Sequence, residues 1–405
     1  MQLVAYGAQD IYLTGNPQIT FFKVVYRRHT NFAVESIEQT FNGAVDFDRR
    51  VTATISRNGD LVKSMYLEVV LASQATTYCA GFTMVKQVEL EIGGQLIDRH
   101  YGEWMNIWTE LSTPEGRREG LDDMVGILPT IDDSTNPGRD SNIAGKRYYV
   151  PLQFWFCRNP GLALPLIALQ YHEVKVNLEL NAASVVSQTG TATMTSCQLY
   201  VDYVYLDTDE RRRFAQVSHE YLIEQVQFTG DESVSAGSSK NVTLNFNHPV
   251  KELIWVLRNT TTATCQVDFR IDASDGSRDS NLDEDTFNTG KLQLNGHDRF
   301  SERNADYFRK VQNYEHHTRV PRTVEFNNIQ NTPTHSRGQY IYTYSFALSP
   351  EEHQPSGTCN FSRIDNAVLQ LGTVNLVNDG VLKVFAVNYN VLRIMSGMGG
   401  LAYSN

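Results

Sequence analysis

Residues 173–180 read EVKVNLEL, so Val174, Val176, Leu178 and Leu180 alternate with Glu173, Lys175, Asn177 and Glu179. Side chains of a strand point to opposite faces in turn, and this period of two sets one face on a core and the other in water. The same period recurs at Met65, Leu67, Val69 and Leu71, at Val88, Leu90 and Ile92, and at Val242, Leu244 and Phe246. Asn58-Gly59, Gly93-Gly94 and Asn295-Gly296 lie between such runs and tolerate the positive φ of tight hairpin turns. Many short strands with regular turn signals predict an all-β sandwich or barrel.

The 405 residues exceed one ordinary domain and suit two of about 200 residues, each able to bury a core. With 41% hydrophobic and 20% charged residues the composition is that of a folded globular chain. A net charge of −11 argues against a surface made to coat nucleic acid, which needs an excess of Lys and Arg, so no direct nucleic-acid contact is expected. No apolar run approaches a bilayer span and the N-terminus lacks the layout of a signal peptide, so synthesis in the cytosol is expected. Cys79, Cys157, Cys197, Cys265 and Cys359 are odd in number and widely spread, which predicts reduced, mostly buried thiols.

A weak repeat makes the pattern more specific. Glu89 to Gly94 (ELEIGG) precedes the aromatic, helix-like stretch Tyr101 to Leu111, and Leu292 to Gly296 (LQLNG) precedes Ala305 to Val311 at a similar distance. The aromatic strand read at Gln153 to Phe156 has its counterpart at Tyr340, Tyr342, Tyr344 and Phe346. The join falls at Asp207 to Ser218, a charged linker in which Arg211, Arg212 and Arg213 pair with the acids before them. Pro114–Gly145, Asp272–Asp285 and Pro350–Ser362 are low in hydrophobicity and read as exposed loops.

Catalytic and metal chemistry finds no pattern in this chain. The spacing of Asp272, Asp275, Asp279, Asp283 and Asp285 does not match a helix-loop-helix calcium loop, and a solvated loop is expected. His316 and His317, read as neighbours on a strand, would point to opposite faces and could not share one metal. Asp122-Asp123 and Asp132-Asp133 lie in a polar insertion with no apolar setting to raise one carboxyl for glycosidase chemistry. No nucleophile elbow, phosphate loop or dinucleotide fingerprint is present, so the expectation is no catalytic residues, no metal and no cofactor.

Tyr6 to Phe32, YGAQDIYLTGNPQITFFKVVYRRHTNF, reads as strand material between turns. Pro17 bars helix at Asn16, the residues from Phe22 to Arg27 alternate with a period near two, and Arg27, Arg28 and His29 form a solvated basic end. This segment, together with VNYNVLRIMSGMGGLAYSN at Val387 to Asn405, resembles the opening and closing segments of the major capsid proteins of large eukaryotic DNA viruses of the chlorella-virus and iridovirus type. The resemblance brackets the whole chain. It implies two consecutive eight-stranded jelly-roll β-sandwiches with short helices in loops: an N-terminal arm at 1–32, a first jelly roll at 33–210, a linker at 211–218 and a second jelly roll at 219–405.

The resemblance further implies a non-enzymatic shell protein whose homotrimers form pseudo-hexagonal capsomers that tile an icosahedral virion assembled in the host cytoplasm. Its partners would be itself, minor capsid proteins and, indirectly, the internal virion membrane. Readings from other classes are a minor capsid or penton protein and a carbohydrate-active β-sandwich protein. Capsid proteins of some relatives carry sugar, which makes the sequons at Asn259 and Asn360, in expected loops, and Asn241, at a strand start, candidate glycan sites. Trp104, Trp108 and Trp155 are expected in the cores rather than in trimer contacts.

Overall fold

A computed structural model describes residues 7–72, 79–127, 146–186, 192–259, 269, 285–321, 325–326, 333–334, 339–376 and 378–403. Four sheets pair into two sandwiches. In the first, one sheet runs in the order Phe32–Gln39, Met194–Leu206, Leu61–Leu71, Arg147–Pro151. Its facing sheet runs Arg50–Thr54, Val174–Leu180, Val85–Ile92, Gln95–Tyr101, with the short strand Phe41–Asn42 added at one edge. In the second sandwich the corresponding orders are His219–Phe228, Gly380–Met395, Pro249–Asn259, Tyr342–Ser345 and Lys240–Thr243, Ala367–Leu371, Thr289–Leu294, His297–Asp298.

Numbering the eight principal strands of each sandwich in chain order gives sheets 1-8-3-6 and 2-7-4-5 in both halves, which is the jelly-roll topology twice over. The expected double jelly roll is therefore the fold, and the strand-hairpin part of the weak sequence repeat reflects it, whereas the counterpart of Tyr342–Ser345 is Arg147–Pro151 rather than Gln153 to Phe156.

Alternation explains why these segments are strands. Met65, Leu67, Val69 and Leu71 are each at most 2% exposed, and Val174, Val176, Leu178 and Leu180 likewise lie in the first core. Gly93 and Gly94, at φ 60° and 86°, and Asn295 and Gly296, at 51° and 77°, make the hairpins between strands four and five of each sandwich. Asn58-Gly59 makes no hairpin, because the strands on either side of it belong to different sheets and the chain there crosses over the core.

Three further segments depart from the sequence reading. Phe22 to Arg27 forms no strand: alternation alone cannot hold extended backbone without a partner, and no strand pairs with it among the described residues. Phe154 to Phe156 is not strand either, since the strand stops at Pro151 and Trp155–Arg158 makes one helical turn. The charged linker contains a helix, Thr208–Gln216, capped by the Asp207 carboxylate, which accepts from Thr208 N. Arg211 pairs at 3.0 Å with Asp60 of the first sandwich, not with the acids that precede it.

The cores are interlocked. Helix Gly102–Ser112 follows strand five of the first sandwich, yet its Trp104, Ile107, Trp108 and Leu111 pack in the core of the second. Ile223, Leu392 and Ile394 of the second half pack in turn into the first core, where Trp155 also lies. All three expected core tryptophans are thus core residues, and two of them serve the other half of the chain.

Candidate functional site

Chemistry is easiest to seek where the two sandwiches meet, because charged side chains are buried there. Lys251, on strand three of the second sandwich, is 0% exposed and donates to Glu224 Oε1 at 2.8 Å and to the Pro350 carbonyl at 2.6 Å. Arg158 of the first sandwich approaches Glu224 Oε2 at 3.1 Å, so one carboxylate answers two cations across the junction. The adjoining cleft, of about 200 Å³, is lined by Trp155, Arg158, Glu224, Glu351 and His353. The Arg158–Glu224 pair at this cleft joins a side chain of the first sandwich to one of the second.

His317, within the second sandwich, is linked to this cleft through Glu351. It follows helix Gln312–His316 and is not on a strand, contrary to the sequence reading. Its Nε2 lies 3.0 Å from Glu252 and its Nδ1 2.9 Å from Glu351, which reaches inward from the loop expected at Pro350–Ser362. Burial alone would push the imidazolium down, but the two carboxylates outweigh it and raise its pKa to about 9. His316 contacts the Leu348 carbonyl instead, so the adjacent pair does not converge on a shared site.

A histidine raised in the folded state contributes stability that is complete below its ordinary value near 6.5 and disappears as pH climbs through about 9. The wild-type melting temperature is therefore expected to fall between pH 7 and 10 more steeply than that of His317→Gln, as read by calorimetry. Parallel curves would refute the ion-paired state of His317.

The paired carboxylates also differ from expectation. Asp122 sits on helix Glu115–Val125, not in a loop, and burial pushes its carboxyl up to about 6 although Arg118 Nε, at 3.2 Å, opposes the shift. Asp123, next on the helix, is exposed, so the two do not converge. Arg118 and Arg319 both hold Glu110, which makes this another tie between the halves. Asp132, Asp133 and the acidic loop from Asp272 to Asp283 lie outside the described residues. Asp285 is paired with Arg309, and no cluster of three or more metal-ligating side chains occurs among the described residues.

Of the candidate glycan sites, Asn360 is exposed, but its side chain accepts from Ser362 N at 3.1 Å and caps a short helix. Asn241 is exposed on an edge strand. Asn259 is not in a loop: it ends a central strand at 1% exposure, because strand pairing with Gly380 continues to that residue. Burial places its amide out of reach of a modifying enzyme.

No disulfide joins Cys79, Cys157, Cys197 or Cys359, and burial pushes the Cys157 and Cys197 thiols up to about 12. Cys265 lies outside the described residues. No helix among the described residues is long and apolar enough to cross a membrane.

The chemically unsatisfied surface is the N-terminal arm. Ile11, Tyr12, Leu13, Ile19, Phe21, Phe22, Val24, Val25 and Tyr26 are 64–99% exposed, a concentration of uncovered apolar side chains found nowhere else among the described residues. Arg27, Arg28 and His29 follow, all exposed, and Thr30 Oγ1 donates to Glu210 as the chain enters the first sheet. The sequence reading set this segment apart as an arm on the strength of the family resemblance, while the ionic ties between the sandwiches have no signal in spacing and were missed.

Known proteins share this architecture along its whole length. Residues 20–207 match the family described as the major capsid protein N-terminus, and residues 210–400 match that described as the large eukaryotic DNA virus major capsid protein. The chain is 57% identical to the major capsid protein of Pyramimonas orientalis virus, covering 100% of this chain and 99% of the relative. It is 45% identical to that of Paramecium bursaria Chlorella virus 1, with the same coverage. The quasi-atomic model of the PBCV-1 virus capsid superposes with a TM-score of 0.78 at 40% identity, over 95% of this chain and 100% of that one. Two jelly rolls in tandem, with their buried charges neutralised and an apolar arm left uncovered, belong to a building block, and the chain is a member of the major capsid protein family of large eukaryotic DNA viruses.

Proposed function

We propose that three copies of this chain close into a homotrimeric, pseudo-hexagonal capsomer and that these capsomers tile the icosahedral shell of the virion, by shape and interface burial and without catalysis. The observation that carries this reading is the repetition of one strand order in two joined sandwiches, because three such chains supply six similar bodies around a threefold axis. Contacts around a trimer are heterologous and must close to avoid open growth. The division at 33–210, 211–218 and 219–405 assigns one body to each half of the chain. Minor capsid proteins beneath the shell are the expected further partners, with the internal membrane reached only through them and assembly in the host cytoplasm.

Mass measurement tests the reading directly. The purified chain should behave as three times 45.8 kDa on a light-scattering column. A stable monomer that hydrolyses oligosaccharides would overturn it in favour of a carbohydrate-active sandwich, and low copy number in purified virions would favour a minor or penton protein.

The arm has its own test. Its apolar side chains lie outside both cores, so it is suited to bridging subunits or anchoring the capsomer on what lies within the shell. Removing Met1 to Phe32 should leave both sandwiches folded, with melting temperature close to that of the full chain, but impair particle assembly. Normal particles from the truncated chain would refute that role.

A further inference from the structure

The two sandwiches touch through a contact that the chain uses once and leaves vacant once. Strand one of the second sandwich, His219–Phe228, faces strand five of the first, Gln95–Tyr101. Gln225 Nε2 donates to the Ile97 carbonyl, and Val226 N donates to Asp98 Oδ1 at 3.2 Å. An acid on the first strand meets a base of the neighbouring sandwich, since Glu224 pairs with Arg158.

The matching elements, strand one of the first sandwich and strand five of the second, have no such cover among the described residues. Strand one of the first sandwich, Phe32–Gln39, is an edge strand bare on both faces for most of its length, with Phe32 54% and Val34 47% exposed. Strand five of the second sandwich, His297–Asp298, and the segment after it as far as Asn304 are exposed apart from the half-buried Phe300. An open edge is a template for pairing, and natural sheets do not leave such an edge unmanaged.

Resting on the trimer reading above, we infer that strand Phe32–Gln39 of one copy docks on residues His297–Asn304 of the next, repeating between chains the contact made within each chain. The occupant is a second copy because the two vacant surfaces are the two complementary halves of a contact already present. Each copy offers one of each, which is the condition for a heterologous ring. Charge agrees. Phe32–Gln39 carries Glu35 and Glu38, both exposed, and no base. Opposite them stand exposed Arg299 and Arg303, while Asp298 is held by Lys291 at 3.1 Å and Glu302 accepts from Thr289.

The test uses the full chain in solution. The pair Glu35→Arg with Glu38→Arg, and separately Arg299→Glu with Arg303→Glu, should each weaken trimer formation at least tenfold in sedimentation. All four together should restore it. Ser36→Cys combined with Arg299→Cys should give covalent dimers and trimers on a non-reducing gel after mild oxidation, which neither single variant does. A wild-type chain that is monomeric would overturn the trimer and this interface together. A wild-type trimer with unaffected charge variants and no covalent ladder would overturn the interface alone.

Discussion

Replacing Trp104 by Ala is expected to lower stability by about 3–5 kcal/mol, the range for removing a fully buried large aromatic from a core. Trp104 is 0% exposed, with its ring 5.8 Å from Trp108 and 5.3 Å from Phe385. It leaves the first sandwich on helix Gly102–Ser112 and fills the second, so its loss opens a cavity at the point that joins them. Against a typical total of about 5–15 kcal/mol, that loss takes a large share of the folding free energy. Urea unfolding followed by far-UV dichroism should show the midpoint drop. Tyr171→Ala, at a side chain 75% exposed, should stay within about 0.5 kcal/mol and serves as the control. A Trp104→Ala protein within about 1 kcal/mol of wild type would contradict the shared core. The same packing predicts that residues 219–405 expressed alone are poorly soluble, because the apolar surface that Trp104 and Trp108 cover would face water.

Glu224→Ala is the second large effect. Removing this carboxylate strands Lys251, which is 0% exposed and keeps the Pro350 carbonyl and the Tyr389 ring but no counter-charge, and it also deprives Arg158 of its carboxylate partner. Breaking a buried pair from one side costs about 3–5 kcal/mol because a charge remains without compensation. Replacing Lys251 as well should recover much of this loss: the double variant Glu224→Ala, Lys251→Met is expected to be more stable than Glu224→Ala alone, since a similarly shaped apolar side chain leaves no bare ammonium. Thermal unfolding of the four proteins in the cycle measures the coupling. If the double variant were less stable than Glu224→Ala, the buried pair would not be the source of the effect.

Both experiments probe the junction, and the junction was the least legible part of the chain. Leu90 and Ile92, or Leu292 and Leu294, announce their strands because alternation is a local property, read within a few residues. Gly93-Gly94 and Asn295-Gly296 announce their turns for the same reason. Phe22 to Arg27 carries the same alternation and forms no strand, which shows that period two states a capacity and that a neighbouring edge is needed to realise it. His316-His317 looked like an uninformative pair. Only the fold brings Glu252 and Glu351, from two other parts of the chain, within 3.0 Å and 2.9 Å of His317. Asn259 looked like a loop residue because the polar stretch after it begins at once, whereas its pairing with Gly380 holds it inside.

By itself, then, the order of residues determined that the chain is all-β, doubled and acidic, because hydrophobic period, turn chemistry and composition act over short distances. Tertiary structure alone decided which half owns each tryptophan, which carboxylate neutralises Lys251, and which strand edges remain bare. These depend on contacts between residues far apart in the chain, such as Glu110 with Arg319 and Glu103 with Lys383, and no local pattern encodes such pairings.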